Sequence, residues 1–276
     1  MRDRLLRLCG WLVCLAYAGL LVAIVAPLLA KGVGELSLTF LTAPVRDGGR
    51  AGGIGPILVA TAWIVGIAVL VVVPVGLGAA IWLAEFAPQR SRGVRAVRTA
   101  VDLLAATPSI VFGLFGSAFF CVGLGLGFSI LAGGLTLACM SLPLVVRTGE
   151  QALAAVAPET RAGAYALGLR PAAVTLRVLV PAALPGLAAG FVLALGRSLA
   201  ETAALIFTSG YVARMPTSML DSGRALSIHV LDMAMNIPGG MSRAAAAAVV
   251  LLVLVLASYA LFALALHMAV RRRGVV

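Results

Sequence analysis

Nothing constrains this chain more than the long stretches without charge. Residues 8–30 carry no charged side chain, nor do residues 51–84, nor the 44 residues from 103 to 146. A helix needs about 20 apolar residues to cross a hydrocarbon core. The first run fits one such helix, and the second holds one at about 57–83. The third is too long for one helix, and the stretch Gly123–Gly127 (GLGLG) divides it into a hairpin of two. A fifth apolar stretch begins near Ala182, and a sixth fills Ala244–Val270. The predicted fold is an all-α integral membrane protein in one transmembrane domain, 1–276. Its six helices are 8–30, 57–83, 109–124, 129–146, 182–208 and 245–269.

Composition closes the alternatives. The chain is 62% apolar and 11% charged, with mean hydropathy +1.11. Soluble domains carry about 25% charged residues, so a soluble globular enzyme and a disordered chain are both excluded. The basic start followed by an apolar run resembles a signal peptide. Yet 23 uncharged positions exceed the 7–15 of a signal core, so the segment reads as a retained first helix. Cys9, Cys14, Cys121 and Cys139 lie in or beside apolar runs and read as small hydrophobes. His229 and His267 are isolated, and no metal site follows from them.

The net charge of +11 is explained by position. Of 21 basic residues, 14 fall in one set of loops and at the two termini, and 6 in the alternate set. The remaining one is Arg197. The bias of Lys and Arg toward the cytoplasm places both termini inside. Nucleic acid is not the expected partner; membrane lipid is.

Two inner segments are large. Between Phe86 and Pro108, Val94, Val97, Val101 and Leu104 share one helical face, with Arg95, Arg98 and Asp102 on the other. Arg98 and Asp102 are spaced as an i, i+4 pair. This segment reads as an interfacial helix attracted to anionic lipid. The second, 147–181, holds two Ala- and Leu-rich stretches, 148–157 and 159–168. Pro158 suits a helix's first turn, and Gly168 suits a helix end. Two short helices on a rigid mount form either a docking knob or a passive linker.

Arg197 falls near the middle of the fifth span, with Glu201 four residues on. A charge at that depth costs several kcal/mol. The pair is either a self-neutralising packing device or a functional site. For the second role, guanidinium offers a planar fork suited to phosphate oxygens. Ser198 and Thr202 either join such a site or bond their own helix carbonyls. Gly186 and Gly190 form a small-xxx-small pair that permits close helix contact.

The spacing Gly168-x9-Val178-Leu179-Val180-Pro181 resembles the cytoplasmic loop E-A-A-x3-G-x9-I-x-L-P of ABC importer permeases. In that register Ala162, Gly163 and Ala164 occupy the E-A-A positions, so the family Glu is absent here; Glu159 stands three residues earlier. Further stretches, in order, resemble the PstA-type permeases of phosphate importers: GGIGP (52–56), AAIWLAEFA (79–87), PSIVFGLF (108–115), LPLVVRTGEQAL (142–153), PAALPG (181–186) and GRSLAETAALIFTS (196–209). The resemblance implies short cytoplasmic coupling helices between spans four and five. It also implies ATPase-coupling roles for Glu150, Ala162, Gly163, Ala164, Gly168 and Pro181, and a substrate-path role for Arg197 and Glu201. Implied partners are a second, PstC-like permease, a PstB-like ATPase and a PstS-like binding protein. The sequence has no G-x4-G-K-[ST] loop, so ATP and Mg would be bound by the partner and no cofactor by this chain. The chain is expected to be a non-enzymatic subunit of a phosphate importer. The alternatives are a permease for another oxyanion or small solute, and an ion-coupled secondary transporter.

Overall fold

The computed structural model describes residues 2–272, with side-chain surroundings for 6–268. Of the basic residues at the termini, Arg273 lies outside the described residues, as do the side chains of Arg2, Arg4, Arg271 and Arg272.

The chain is a bundle of long apolar helices joined by short ones. Helix α1 spans Arg2–Gly32. A short helix α2, Leu38–Thr42, and a two-stranded hairpin, β1 (Val45–Arg46) with β2 (Ala51–Gly52), lead to α3, Gly55–Ile81. Pro56 stands in the first turn of α3, where its missing N–H costs nothing, and α3 runs unbroken through Pro74. Its last turn, Trp82–Phe86, widens to π geometry. Helix α4, Arg92–Ala106, is capped by the Ser91 hydroxyl, which accepts from Gly93 N. It meets α5, Ser109–Gly116, at Pro108, and the two directions differ by 102°. That bend turns α4 away from the axis of α5.

Helix α5 continues as a π-helical stretch, Ser117–Gly123, and ends in the predicted glycine turn. Helix α6, Ile130–Ala154, follows, capped by Ser129. Next come α7, Pro158–Ala166, and α8, Pro171–Val174. A π turn at Thr175–Leu179 then opens into α9, Val180–Ala200. Short helices α10, Ala203–Ile206, and α11, Leu226–Met235, precede α12, Met241–Arg272. Among the described residues, five helices are long and apolar enough to cross a membrane, and the bent α4–α5 pair adds a sixth candidate.

Two predicted boundaries move. The fourth helix runs on to Ala154, not 146, so residues 148–154 extend a long helix and the first short helix of the connection does not form separately. The fifth stops at Ala200, not 208. Glu201 adopts extended backbone (φ −71, ψ 130) and α10 starts on a new axis. The apolar composition of 203–208 continues the span, but its packing does not. Ala204, Leu205, Thr208 and Ser209 are fully buried, with Ala204 pressed on Gly113 of α5 and Ser209 on Gly133 of α6.

The core is α3 against α6, with α9 beside them. Small residues set the spacing. A Cβ on Gly134 would lie 2.7 Å from Ile67, and one on Gly149 2.7 Å from Ala80. The predicted Gly186–Gly190 pair faces Ala152 and Thr148 of α6, so α9 approaches closely as that motif permits. By contrast α1 leans mainly on α12 and the short helical turn after it, and among the described residues its apolar window has no buried residue.

Candidate functional site

Three arginines organise the end of the bundle that carries α7. Arg98, on α4, donates from Nε to Glu150 Oε1 at 2.7 Å and from Nη2 to the Leu83 carbonyl at 3.1 Å and Gln89 Oε1 at 2.7 Å. Arg147, on α6, pairs with Asp102 of α4 at 3.0 Å. Arg161, on α7, pairs with Glu85 in the π turn that ends α3, and its Nη2 also faces the Leu153 carbonyl at 3.5 Å. The expected Arg98–Asp102 pair along α4 is therefore replaced by two pairs from α4 to α6. Pairing across elements neutralises Glu150, which is only 15% exposed. A pair along α4 would leave that carboxylate only the longer contact to Arg147, at 3.9 Å.

The candidate coupling residues separate into two groups. Ala162 and Gly163 are exposed on α7, while Ala164 is buried beneath it. Gly168 ends the α7 turn at φ +73, a left-handed conformation that a side chain would strain. Pro181 sits in the first turn of α9. Glu150 lies behind the others, in α6, holding α4 rather than facing outward. Around α7, Tyr165 is 46% exposed and Leu167 80% exposed. A short helix that points outward with bare apolar side chains has the form of a docking knob.

The Arg197–Glu201 pair does not form. Stacking at i, i+4 needs continuous helix, and the chain leaves the helix at Glu201. Glu201 is buried; its Oε1 accepts from Ala204 N at 3.2 Å, and its carbonyl accepts the Ser227 hydroxyl. Its carboxylate thus tethers the start of α10. Arg197 is exposed on α9 and has no ion-pair or hydrogen-bond partner among the described residues. Nearby, Ser198 donates to the Ala194 carbonyl at 2.9 Å and shares a bond with Ser141 at 3.0 Å. The Thr202 hydroxyl faces the Ala200 carbonyl at 3.4 Å. Both hydroxyls serve local structure. A span broken at such depth is tolerated where the free backbone is buried in protein or lines a polar path.

At the other end, His229 on α11 is 1% exposed, and its Nδ1 has no partner among the described residues. It lies under Gly49 of the β1–β2 hairpin, whose missing side chain leaves space for the ring and for Met233. Helix α11 is too short to cross a membrane. Burial pushes the His229 pKa down to about 4, Arg224 and Arg243 push the same way, and Asp232 opposes them. Neither this histidine nor the Arg161–Glu85 pair was legible as a site. The one available signal was that Glu85 ends the uncharged run 51–84.

Residues 73–272 match the model of the family described as binding-protein-dependent transport system inner membrane component. The probable ABC transporter permease protein YqgI of Bacillus subtilis is 35% identical over 193 residues, 70% of this chain and 65% of that protein. The phosphate transport system permease protein PstA 1 of Mycobacterium tuberculosis is 37% identical over 161 residues, 58% of this chain and 52% of that protein. PstA 2 of Mycobacterium bovis is 33% identical over 225 residues, 79% of this chain and 73% of that protein. The matches thus span between half and two thirds of the length of the first two relatives. Among solved structures, a chain of the MetNI methionine ABC transporter superposes with TM-score 0.62 at 18% identity, covering 78% of this chain and 94% of that one. That likeness concerns the fold alone.

Proposed function

Because the chain belongs to the family of binding-protein-dependent transport system inner membrane components, we propose that it is one permease half of an ATP-driven importer for inorganic phosphate. The observation that carries this reading is the unpaired, exposed guanidinium of Arg197 on the core helix α9. An uncompensated cation on an apolar span is stabilised by an anion or by a partner chain, and its planar fork fits two oxygens of a tetrahedral oxyanion. Several relatives named as phosphate permeases support phosphate as that anion. Glu201 sets the break that ends α9 just beyond Arg197, and so fixes where the guanidinium is presented.

In this reading six spans cross the inner membrane, with both termini and α7 in the cytoplasm. A second permease completes the path against α9. A separate ATPase docks on α7 through Tyr165, Leu167 and the exposed Ala162–Gly163 edge. A binding protein delivers phosphate to the opposite end, where the β1–β2 hairpin and α11 pack together. ATP binding drives the change only if each ATPase state prefers one arrangement of the permease.

The test is reconstitution with the second permease, ATPase and binding protein in proteoliposomes, with labelled phosphate uptake as the readout. Uptake driven by ATP and competed by phosphate, but not by sulfate or molybdate, is the expected result. Uptake of sulfate in preference to phosphate would overturn the substrate while leaving the permease role standing.

A further inference from the structure

The π turn at the end of α3 is gripped from two sides. From α4, Arg98 Nη2 donates to the Leu83 carbonyl, joined there by Gln89 Nε2 at 3.0 Å. From α7, Arg161 pairs with the Glu85 carboxylate. The two grips differ in kind. A carbonyl is neutral and has two donors. Glu85 is charged, its side chain is 4% exposed, and its Oε1 is buried without a hydrogen-bond partner among the described residues. Arg161 is its one ion-pair partner among those residues. A carboxylate buried in this way resists separation from its single counter-charge. The position of α7 is thereby tied to the end of α3.

What lies beyond that end is rigid. Helix α3 interlocks with α6 at Gly76–Val145, Gly134–Ile67 and Gly149–Ala80, and α6 in turn holds α9 at Gly186 and Gly190. Close-packed interfaces of this sort shift as units and do not deform smoothly. A displacement of α7 that pulls on Glu85 is therefore delivered to α3, and through α6 to the helix that carries Arg197. The π geometry of Trp82–Phe86 places a looser turn at the pivot, the kind of irregularity that recurs at functional positions.

We infer that Glu85 is a positioning residue for transport: its ion pair with Arg161 is the link that carries motion of the ATPase-docking helix into the membrane-spanning core. This rests on the permease reading above. Glu85 is too buried to touch an ATPase, so its removal separates transmission from docking.

The experiment uses the reconstituted complex carrying Glu85→Gln. Three quantities are read: co-purification of the ATPase, ATP hydrolysis, and phosphate transported per ATP hydrolysed. Co-purification and basal hydrolysis are expected to persist while the transport ratio falls about tenfold, within the usual range of coupling between sites. The charge-swapped pair Glu85→Arg with Arg161→Glu is expected to recover part of the ratio. An unchanged ratio overturns the inference, and so does a ratio that falls only in step with lost assembly. If Glu85→Gln fails to fold, Glu85→Gln with Arg161→Gln removes both charges and strands neither. That double variant is expected to assemble and remain uncoupled, and wild-type coupling in it would overturn the inference. Failure of the wild-type complex to move phosphate would instead sink the substrate reading. The link is then read from hydrolysis stimulated by the binding protein, which Glu85→Gln is expected to flatten.

Discussion

Charge is handled in opposite ways at the α7 end of the bundle and along α9. At the α7 end Arg98, Arg147 and Arg161 each meet a carboxylate from another element. On α9 Arg197 meets none among the described residues, and the acid expected beside it has turned away to tether α10. The first arrangement is complete without a ligand and fixes where helices sit. The second is incomplete among the described residues, and under the proposed function an anion completes it. In that reading pairing separates scaffold from site more cleanly than residue type does.

The largest effect is expected where the comparison is sharpest. Arg197→Gln removes a charged donor fork, and hydrogen bonds to charged groups contribute roughly 1.5–3 kcal/mol. Phosphate uptake is expected to fall by about tenfold to a hundredfold, with the complex still assembled. Arg197→Lys keeps the charge but loses the planar fork, and should recover only part of the loss. Normal uptake by Arg197→Gln would erase the distinction between the two regions.

His229 tests whether pairing, rather than burial alone, decides the cost of a charge. It is buried with no ion-pair partner among the described residues, and its pKa lies at about 4 against an ordinary 6.5. The unfolded chain binds the proton more readily, so stability is fully present above pH 6.5 and is lost as pH falls toward 4. A shift of this size corresponds to about 3 kcal/mol across that window. Thermal unfolding in detergent at stepped pH should show the loss, and His229→Leu should flatten it. A flat profile in the wild type would mean that the Arg224–Asp232 pair beside it absorbs the proton's effect.

Glu150→Gln probes the paired region from the scaffold side. Arg98 is 27% exposed, so solvent screens part of the pair, and the cost is expected nearer 1–2 kcal/mol than the value for a fully buried pair. The readout is a lower unfolding temperature with the transport ratio unchanged. A changed ratio at normal stability would move Glu150 from the scaffold to the coupling machinery.

What the sequence made legible follows from how local each determinant is. The spans were readable because hydrocarbon thickness acts on every residue of a run. Pro158 and Gly168 marked the limits of α7 because each restricts its own backbone. The partners of Arg98 and Arg161 lie 52 and 76 residues away, and no periodicity points across such distances. The break at Glu201 was hidden for a related reason. Residues 203–208 suit a continuing helix, and it is Gly113 and Gly116 on α5 and Gly133 on α6 that make room for the bent path. The fold was therefore readable nearly to its helix count, and the site only as single residues without their partners.

The smallest effect concerns Ala162, where the family pattern carries Glu. The side chain is exposed on α7, and the charge next to it, Arg161, is already turned inward to Glu85. Under the proposed function, the outer edge of the knob offers an ATPase mainly shape and the apolar surface of Tyr165 and Leu167. Ala162→Glu adds a carboxylate at the rim of that contact. Rim charges contribute roughly 0.2–1 kcal/mol, and Glu159 three residues earlier repels the newcomer by a few tenths. The ATPase is therefore expected to bind only about twofold tighter, measured by the concentration needed for half-maximal association. Leu167→Asp should weaken the same association by more than Ala162→Glu strengthens it. A gain of a hundredfold from Ala162→Glu would mean that docking depends on a polar contact this chain lacks. The α7 end would then resemble α9, with one incomplete charge interaction waiting for a partner.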